Sequence, residues 1–134
     1  MNIALLHLTG PDSALAAFCD ALELETSANW KVGDARSRGR IHASSGCTID
    51  IADASTPSAM IASIRQLLQR CEAGNVTLPA HNLHGELSIG VAVGDAAQFA
   101  AVLEFTVHDL QRIAAMGVTL TVAAYPASDE PLTR

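Results

Sequence analysis

Two histidines and a carboxylate lie close together in the segment His81-Asn82-Leu83-His84-Gly85-Glu86. Imidazole and carboxylate groups ligate zinc and iron, so this spacing is compatible with a metal site. The alternative is a chance spacing of histidines that make ordinary hydrogen bonds. The sequence holds no P-loop, G-x-S-x-G elbow, H-E-x-x-H helix or dinucleotide fingerprint. We therefore expect a non-enzymatic protein that needs no cofactor.

A basic segment, KVGDARSRGR, covers residues 31–40 and follows the only tryptophan, Trp30. It holds four of the eight lysines and arginines of the chain: Lys31, Arg36, Arg38 and Arg40. On a chain of net charge −6, such a cluster favours an anionic ligand or an acidic protein surface. The alternative is a solvated loop without a binding role. Gly33 and Asp34 are typical of a turn, and Trp30 is predicted to anchor the loop by packing.

Length and composition limit the class of protein. A chain of 134 residues is one domain, and its content of 49% apolar and 16% charged residues excludes disorder. The acidic balance disfavours nucleic-acid binding, and no apolar run approaches the roughly 20 residues that span a bilayer. The amino terminus does not resemble a signal peptide. Three widely spaced cysteines, Cys19, Cys47 and Cys71, indicate reduced, buried thiols in a cytoplasmic protein.

Eight predicted elements position these residues. Apolar residues at helical spacing predict helices over 12–22, 57–73 and 106–116. The second helix starts at Thr56-Pro57, and the third starts at a capping box formed by Thr106 and Asp109. Apolar runs and alternation predict strands over 3–8, 24–30, 41–51, 83–93 and 118–125.

The order β-α-β-β-α-β-α-β predicts an α+β fold. Strands with one polar face, next to helices with one apolar stripe, indicate a two-layer sandwich: a mostly antiparallel sheet with helices on one face. The first six elements match the ferredoxin-like split β-α-β plan, to which an extra helix and strand are added.

In that plan the first strand lies between the third and fourth strands and is antiparallel to both. His7, His42 and His84 then fall at the same end of the sheet. If Ala4, Leu6 and Leu8 face the helices, His7 shares the open face with His42, His84 and Glu86, and neighbouring strands are about 4.8 Å apart. If Ile3 and Leu5 face the core instead, His7 is buried alone.

The motif Trp30-Lys31-Val32-Gly33-Asp34 resembles a bacterial family of domains of unknown function, the family numbered four-two-seven-nine. The closing pattern, from Leu110 to Gly117 and then alternating up to Tyr125, is similar to the carboxyl-terminal end of that family. The resemblance implies no activity.

Two functional hypotheses follow. The favoured one is a binding module that engages a protein partner or a second copy of the chain through the open sheet face and the basic loop, with no nucleic-acid or membrane partner. Tyr125, Thr119 and Thr121 are predicted to lie on that face. The alternative is a metal or small-molecule site at the corner of His7, His42, His84 and Glu86, with hydrolytic chemistry.

Overall fold

A computed structural model describes residues 1–129 of the chain. Two short 3-10 turns, at Ser37–Gly39 and Pro79–His81, accompany the regular elements. The helices and strands are β1 (Asn2–Thr9), α1 (Asp12–Leu22), β2 (Ala28–Trp30), β3 (Gly46–Ala54), α2 (Pro57–Ala73), β4 (His84–Val93), α3 (Val107–Met116) and β5 (Val118–Pro126).

The strands form one sheet in the order β2-β3-β1-β4-β5. β1 is antiparallel to both β3 and β4, β2 is antiparallel to β3, and β5 is parallel to β4. The predicted α+β fold with a mostly antiparallel sheet is therefore confirmed, as is the central position of β1. The assignment of the first six elements to the ferredoxin-like class stays a prediction.

One face of the sheet carries the hydrophobic core. Ala4, Leu6 and Leu8 of β1 are at most 1% exposed, whereas the residues between them are only partly buried. The buried strand residues share one apolar cluster with the buried residues of all three helices. The three helices therefore lie on one face, and within residues 1–129 no helix covers the other face, which we call the open face.

The helices begin and end where their caps are. The Thr56 hydroxyl accepts a hydrogen bond from the Ala59 N–H (3.1 Å) at the start of α2. At α3, the Thr106 hydroxyl accepts from the Asp109 N–H (3.1 Å), and the Asp109 carboxylate accepts from the Thr106 N–H (2.9 Å). Gly117, at φ 86°, ends α3 in the left-handed conformation that favours glycine. The predicted helix positions are confirmed to within one residue.

The prediction of a strand over residues 41–51 was wrong at its beginning, because β3 starts only at Gly46. Residues 41–45 belong to the loop, whose backbone bonds to itself. The Gly33 N–H donates to the His42 carbonyl (2.8 Å), and the His42 N–H donates to the Asp34 carbonyl (2.9 Å). Ile41 consequently lies outside β3 and is 66% exposed.

A bulge in β3 places Ile51 outside the regular pairing with β1. Leu5 pairs with Asp50 while Ala4 pairs with Ala52, so Ile51 is an extra residue between the two pairs. It is only partly buried, whereas Cys47 and Ile49 earlier in β3 are 2% exposed.

Candidate functional site

The open face has His7 near its loop end. Its Nδ1 lies 3.0 Å from the Thr48 hydroxyl of β3, and the sheet register places it opposite Glu86 of β4. His7 is only partly buried. Of the two facings that the sequence left open for β1, the structure therefore has the one in which His7 lies on the open face.

The three histidines of the predicted metal corner do not come together. His84 is an exposed residue opposite Thr9 at the start of β4. His42 precedes β3 within the loop, and its ring stacks on Trp30, with centroids 4.8 Å apart and planes at 20°. Trp30 ends the edge strand β2, so β3 and β1 lie between it and β4, a backbone separation of about 14 Å.

The metal hypothesis placed His42, His84 and Glu86 around one ion. Residues 1–129 contain no group of three or more His, Cys, Asp or Glu arranged to hold a metal ion. His84 and Glu86 do share the open face with His7, but His42 is held at Trp30 by stacking and by the backbone bonds of the loop. The geometry therefore gives the predicted corner no support.

The basic loop presents its cations to solvent on an organised backbone. All residues from 31 to 40 are exposed. The Asp34 carboxylate accepts from the Lys31 N–H (2.7 Å), the buried Ser45 hydroxyl accepts from the Val32 N–H (3.0 Å), and the Arg36 N–H donates to the Arg40 carbonyl (2.7 Å). Asp34 thus shapes a turn.

None of the loop cations forms an ion pair within the described residues, where the ion pairs are Arg65–Asp109 and Arg112–Glu72. The side chains that remain available to a partner are Lys31, Arg36, Arg38 and Arg40.

Trp30 joins this loop to the sheet. It pairs with Gly46 of β3, and a side chain at position 46 would collide with the indole ring. The Trp30 ring also stacks on the ring of His42, which belongs to the loop. Trp30 therefore lies between the end of the sheet and the basic segment.

The end of the open face remote from the loop is acidic. Asp50 pairs with Leu5 and Asp53 pairs with Ile3, and both carboxylate residues are exposed. Ile3 is six residues from Thr9, which lies opposite Gly46 at the loop end, so the two ends are about 20 Å apart. Tyr125, 54% exposed, lies beside Gly90 at the acidic end.

A cleft of about 790 Å³ lies on the other side of the sheet, between α1 and the strands β2 and β3. Its lining combines buried apolar residues and thiols with exposed carboxylates from three separate parts of the chain. No sequence pattern pointed to this cleft, because only the packing of α1 beside β2 and β3 brings these residues together. Its lining includes Leu15, Cys19, Leu24 and Cys47, and Asp12, Glu25 and Asp34.

The thiols of this cleft are in their neutral form. Burial raises the pKa of Cys47 to about 12, and it also raises the pKa of Cys19. The neighbouring thiol acts in opposite directions on the two groups, since it raises the pKa of Cys47 and lowers that of Cys19. A neutral thiol is a poor nucleophile and behaves as a small apolar group.

The chain matches no protein-family model, no curated protein and no solved structure. The resemblance carried by the Trp30–Asp34 motif therefore stays a prediction. Among the described residues, no helix has the length and apolar character needed to cross a bilayer.

Proposed function

We propose that the protein is a non-enzymatic binding module that pairs with a second copy of itself through the open face of the sheet. The observation that carries this proposal is the separation of charge along that face. Cations that form no ion pair with any other described residue lie at the end formed by loop 31–40, and the carboxylates of Asp50 and Asp53 lie at the opposite end.

This charge pattern is complementary to itself. In a two-fold dimer whose axis lies in the interface and runs across the strands, each face meets its own copy in the reverse direction, so a residue at one end contacts the other end of the partner. Two open faces packed in this way would bring each basic loop against the carboxylates of the other copy. Attraction occurs at both ends of the interface, and the approach is favoured electrostatically.

The uncharged part of the face has the composition that such an interface needs. Ile3 and Leu5 are partly buried apolar residues that face away from the core, and Tyr125 is a half-exposed aromatic ring. Aromatic and arginine side chains are enriched in protein interfaces, whereas the hydroxyls of Thr119 and Thr121 add hydrogen-bonding capacity at the rim.

A charge-swap experiment tests the proposal. Arg36→Glu/Arg40→Glu reverses the loop, and Asp50→Lys/Asp53→Lys reverses the acidic end. Sedimentation equilibrium should show a wild-type dimer that weakens as salt is added. We expect each double variant alone to raise the dimer dissociation constant by about tenfold or more, since like charges then face each other.

Mixing the two variants should restore association, because opposite charges then face each other at both ends of the interface. A general loss of folding would not be rescued by mixing. Asp20→Lys/Glu104→Lys changes the net charge by the same amount at exposed positions outside the open face, and it should leave the dimer intact. A wild-type protein that stays monomeric at millimolar concentration would contradict the proposal. Equal effects of Asp50→Lys/Asp53→Lys and Asp20→Lys/Glu104→Lys on the dimer dissociation constant would also contradict it.

A further inference from the structure

We infer that the cleft between α1 and the strands β2 and β3 binds a small primary amine with an apolar body. This site lies on the helical side of the sheet, and it shares only Lys31 and Asp34 with the loop that the proposed dimer uses. Nothing in the predicted histidine corner contributes to it.

The size of the cleft fits a small ligand. Its volume of about 790 Å³ falls in the range of ligand-binding sites, which is roughly 300–1,000 Å³. One wall is α1, and the other is formed by the chain from Leu24 to Asp34 together with the start of β3. The cleft thus lies where a helix and two strands diverge, with solvent at its mouth.

The inner part of the cleft is apolar. Leu15 is 8% exposed and Cys47 is 2% exposed, and Ala16, Cys19 and Leu24 complete this surface. The neutral thiols make it weakly polar at most. A ligand would therefore gain by placing a hydrocarbon group here and removing apolar surface from water.

The outer part of the cleft is anionic. Three carboxylates, from Asp12, Glu25 and Asp34, face a single cation, Lys31. Asp34 already accepts a hydrogen bond from the Lys31 backbone N–H, whereas the carboxylates of Asp12 and Glu25 form no hydrogen bond or ion pair within residues 1–129. These two groups have acceptor capacity for an ammonium ion, which donates three hydrogen bonds.

The same arrangement disfavours an anion. Asp12 occupies the first turn of α1, so the positive end of that helix already faces a carboxylate. The surplus of negative charge would repel a carboxylate or phosphate. The combination of an apolar interior and an anionic mouth therefore selects a cation that carries a hydrocarbon group.

Hexylamine is a suitable probe, with hexanoate and hexanol as probes of the same chain length and different charge. Isothermal titration calorimetry gives the affinity, and the emission of Trp30, the only tryptophan and a residue at the cleft, is a second readout. We expect hexylamine to bind at least about tenfold more tightly than either control probe. Asp12→Asn/Glu25→Gln should remove most of this preference, because the probes then meet a neutral mouth.

A second variant tests the cavity itself. Ala16 is an exposed residue of α1 that lines the cleft, so Ala16→Phe fills it without changing the core. Ala17→Phe places the same ring at the neighbouring exposed position, which does not line the cleft. Hexylamine binding should be lost in the first variant and kept in the second. Absence of hexylamine binding to the wild type, equal binding of hexanoate, or retained binding in Ala16→Phe would overturn the inference.

Discussion

At the scale of single residues, Asp109 is a buried carboxylate with two structural roles. It is 3% exposed, and it accepts hydrogen bonds from Arg65 Nε (3.0 Å) and Nη2 (2.8 Å) in addition to its place in the capping box. The Arg65 guanidinium, helped by the bonds from Thr106, holds the pKa of Asp109 well below its usual range, although burial acts in the opposite direction. One side chain therefore starts α3 and also fastens it to α2.

We expect Asp109→Asn to destabilise the protein by about 2 kcal/mol at pH 7, the range for charged hydrogen bonds. A lowered folded-state pKa means that the contribution of Asp109 is complete above the unfolded-state value of about 3.9. It is lost as the pH falls from there towards the folded-state pKa. Urea unfolding of both proteins at pH 7 and pH 3 should therefore show a smaller difference at pH 3.

The ion pair between Arg112 and Glu72 supplies the control. Glu72 is exposed, so water screens this pair, and Glu72→Gln should leave the urea midpoint unchanged. If the difference between wild type and Asp109→Asn were the same at pH 3 and pH 7, the carboxylate charge would not be the cause of the stabilisation.

At the scale of elements, the start of β3 depends on close approach of three strands. Gly46 lies between Trp30 of β2 and the backbone of β1, and a β-carbon there would lie 2.6 Å from the Leu8 carbonyl oxygen. A backbone carbonyl in the centre of a sheet cannot move aside. The absence of a side chain at Gly46 thus allows the Trp30 indole to pack against β3. The loop that follows Trp30 is thereby held close to the strand.

Gly46→Ala should therefore lower the free energy of unfolding by about 2 kcal/mol, as overpacking does, and it should shift the emission of Trp30. Thermal unfolding followed by tryptophan fluorescence measures both effects. Gly90→Ala is the matched strand variant: its nearest contact is the Tyr125 ring at 3.2 Å, which is half exposed and free to move. Similar losses of unfolding free energy in Gly46→Ala and Gly90→Ala would show that the collision at position 46 is not the cause of the destabilisation.

At the scale of the whole molecule, one continuous core shields the three cysteines. Cys47 is 2% exposed and Cys71 is 4% exposed, while Cys19 is partly buried beside them in the cluster. Burial raises the pKa of all three thiols. Their reactivity should therefore follow global or local opening of the fold.

A titration of the native protein with a thiol reagent should be slow, with Cys19 the first residue to react, and it should become fast in denaturing urea. Mass spectrometry of the labelled protein identifies each site. Rapid labelling of Cys71 in the native state would contradict this, because Cys71 lies on the buried face of α2.

The sequence by itself determined most of the elements. Local interactions set them: the capping residues Thr56 and Thr106 mark the helix starts, Gly117 marks a helix end, and strict alternation marks β4 and β5. These signals come from residues near one another in the chain, so they are legible without any knowledge of the fold. The exposed basic loop could be recognised in the same way.

Only the tertiary structure decided which residues meet. The facing of β1 was undecided because residues 3–8, apart from His7, are apolar on both sides, and the register with β3 and β4 was needed to choose. The loop extends to residue 45 because its backbone groups hydrogen-bond to one another instead of to a neighbouring strand. Residue propensities for strand or helix do not describe this choice of partner. The cleft beside α1 joins Asp12, Glu25 and Asp34 across the chain, and such non-local packing leaves no periodic mark in the sequence.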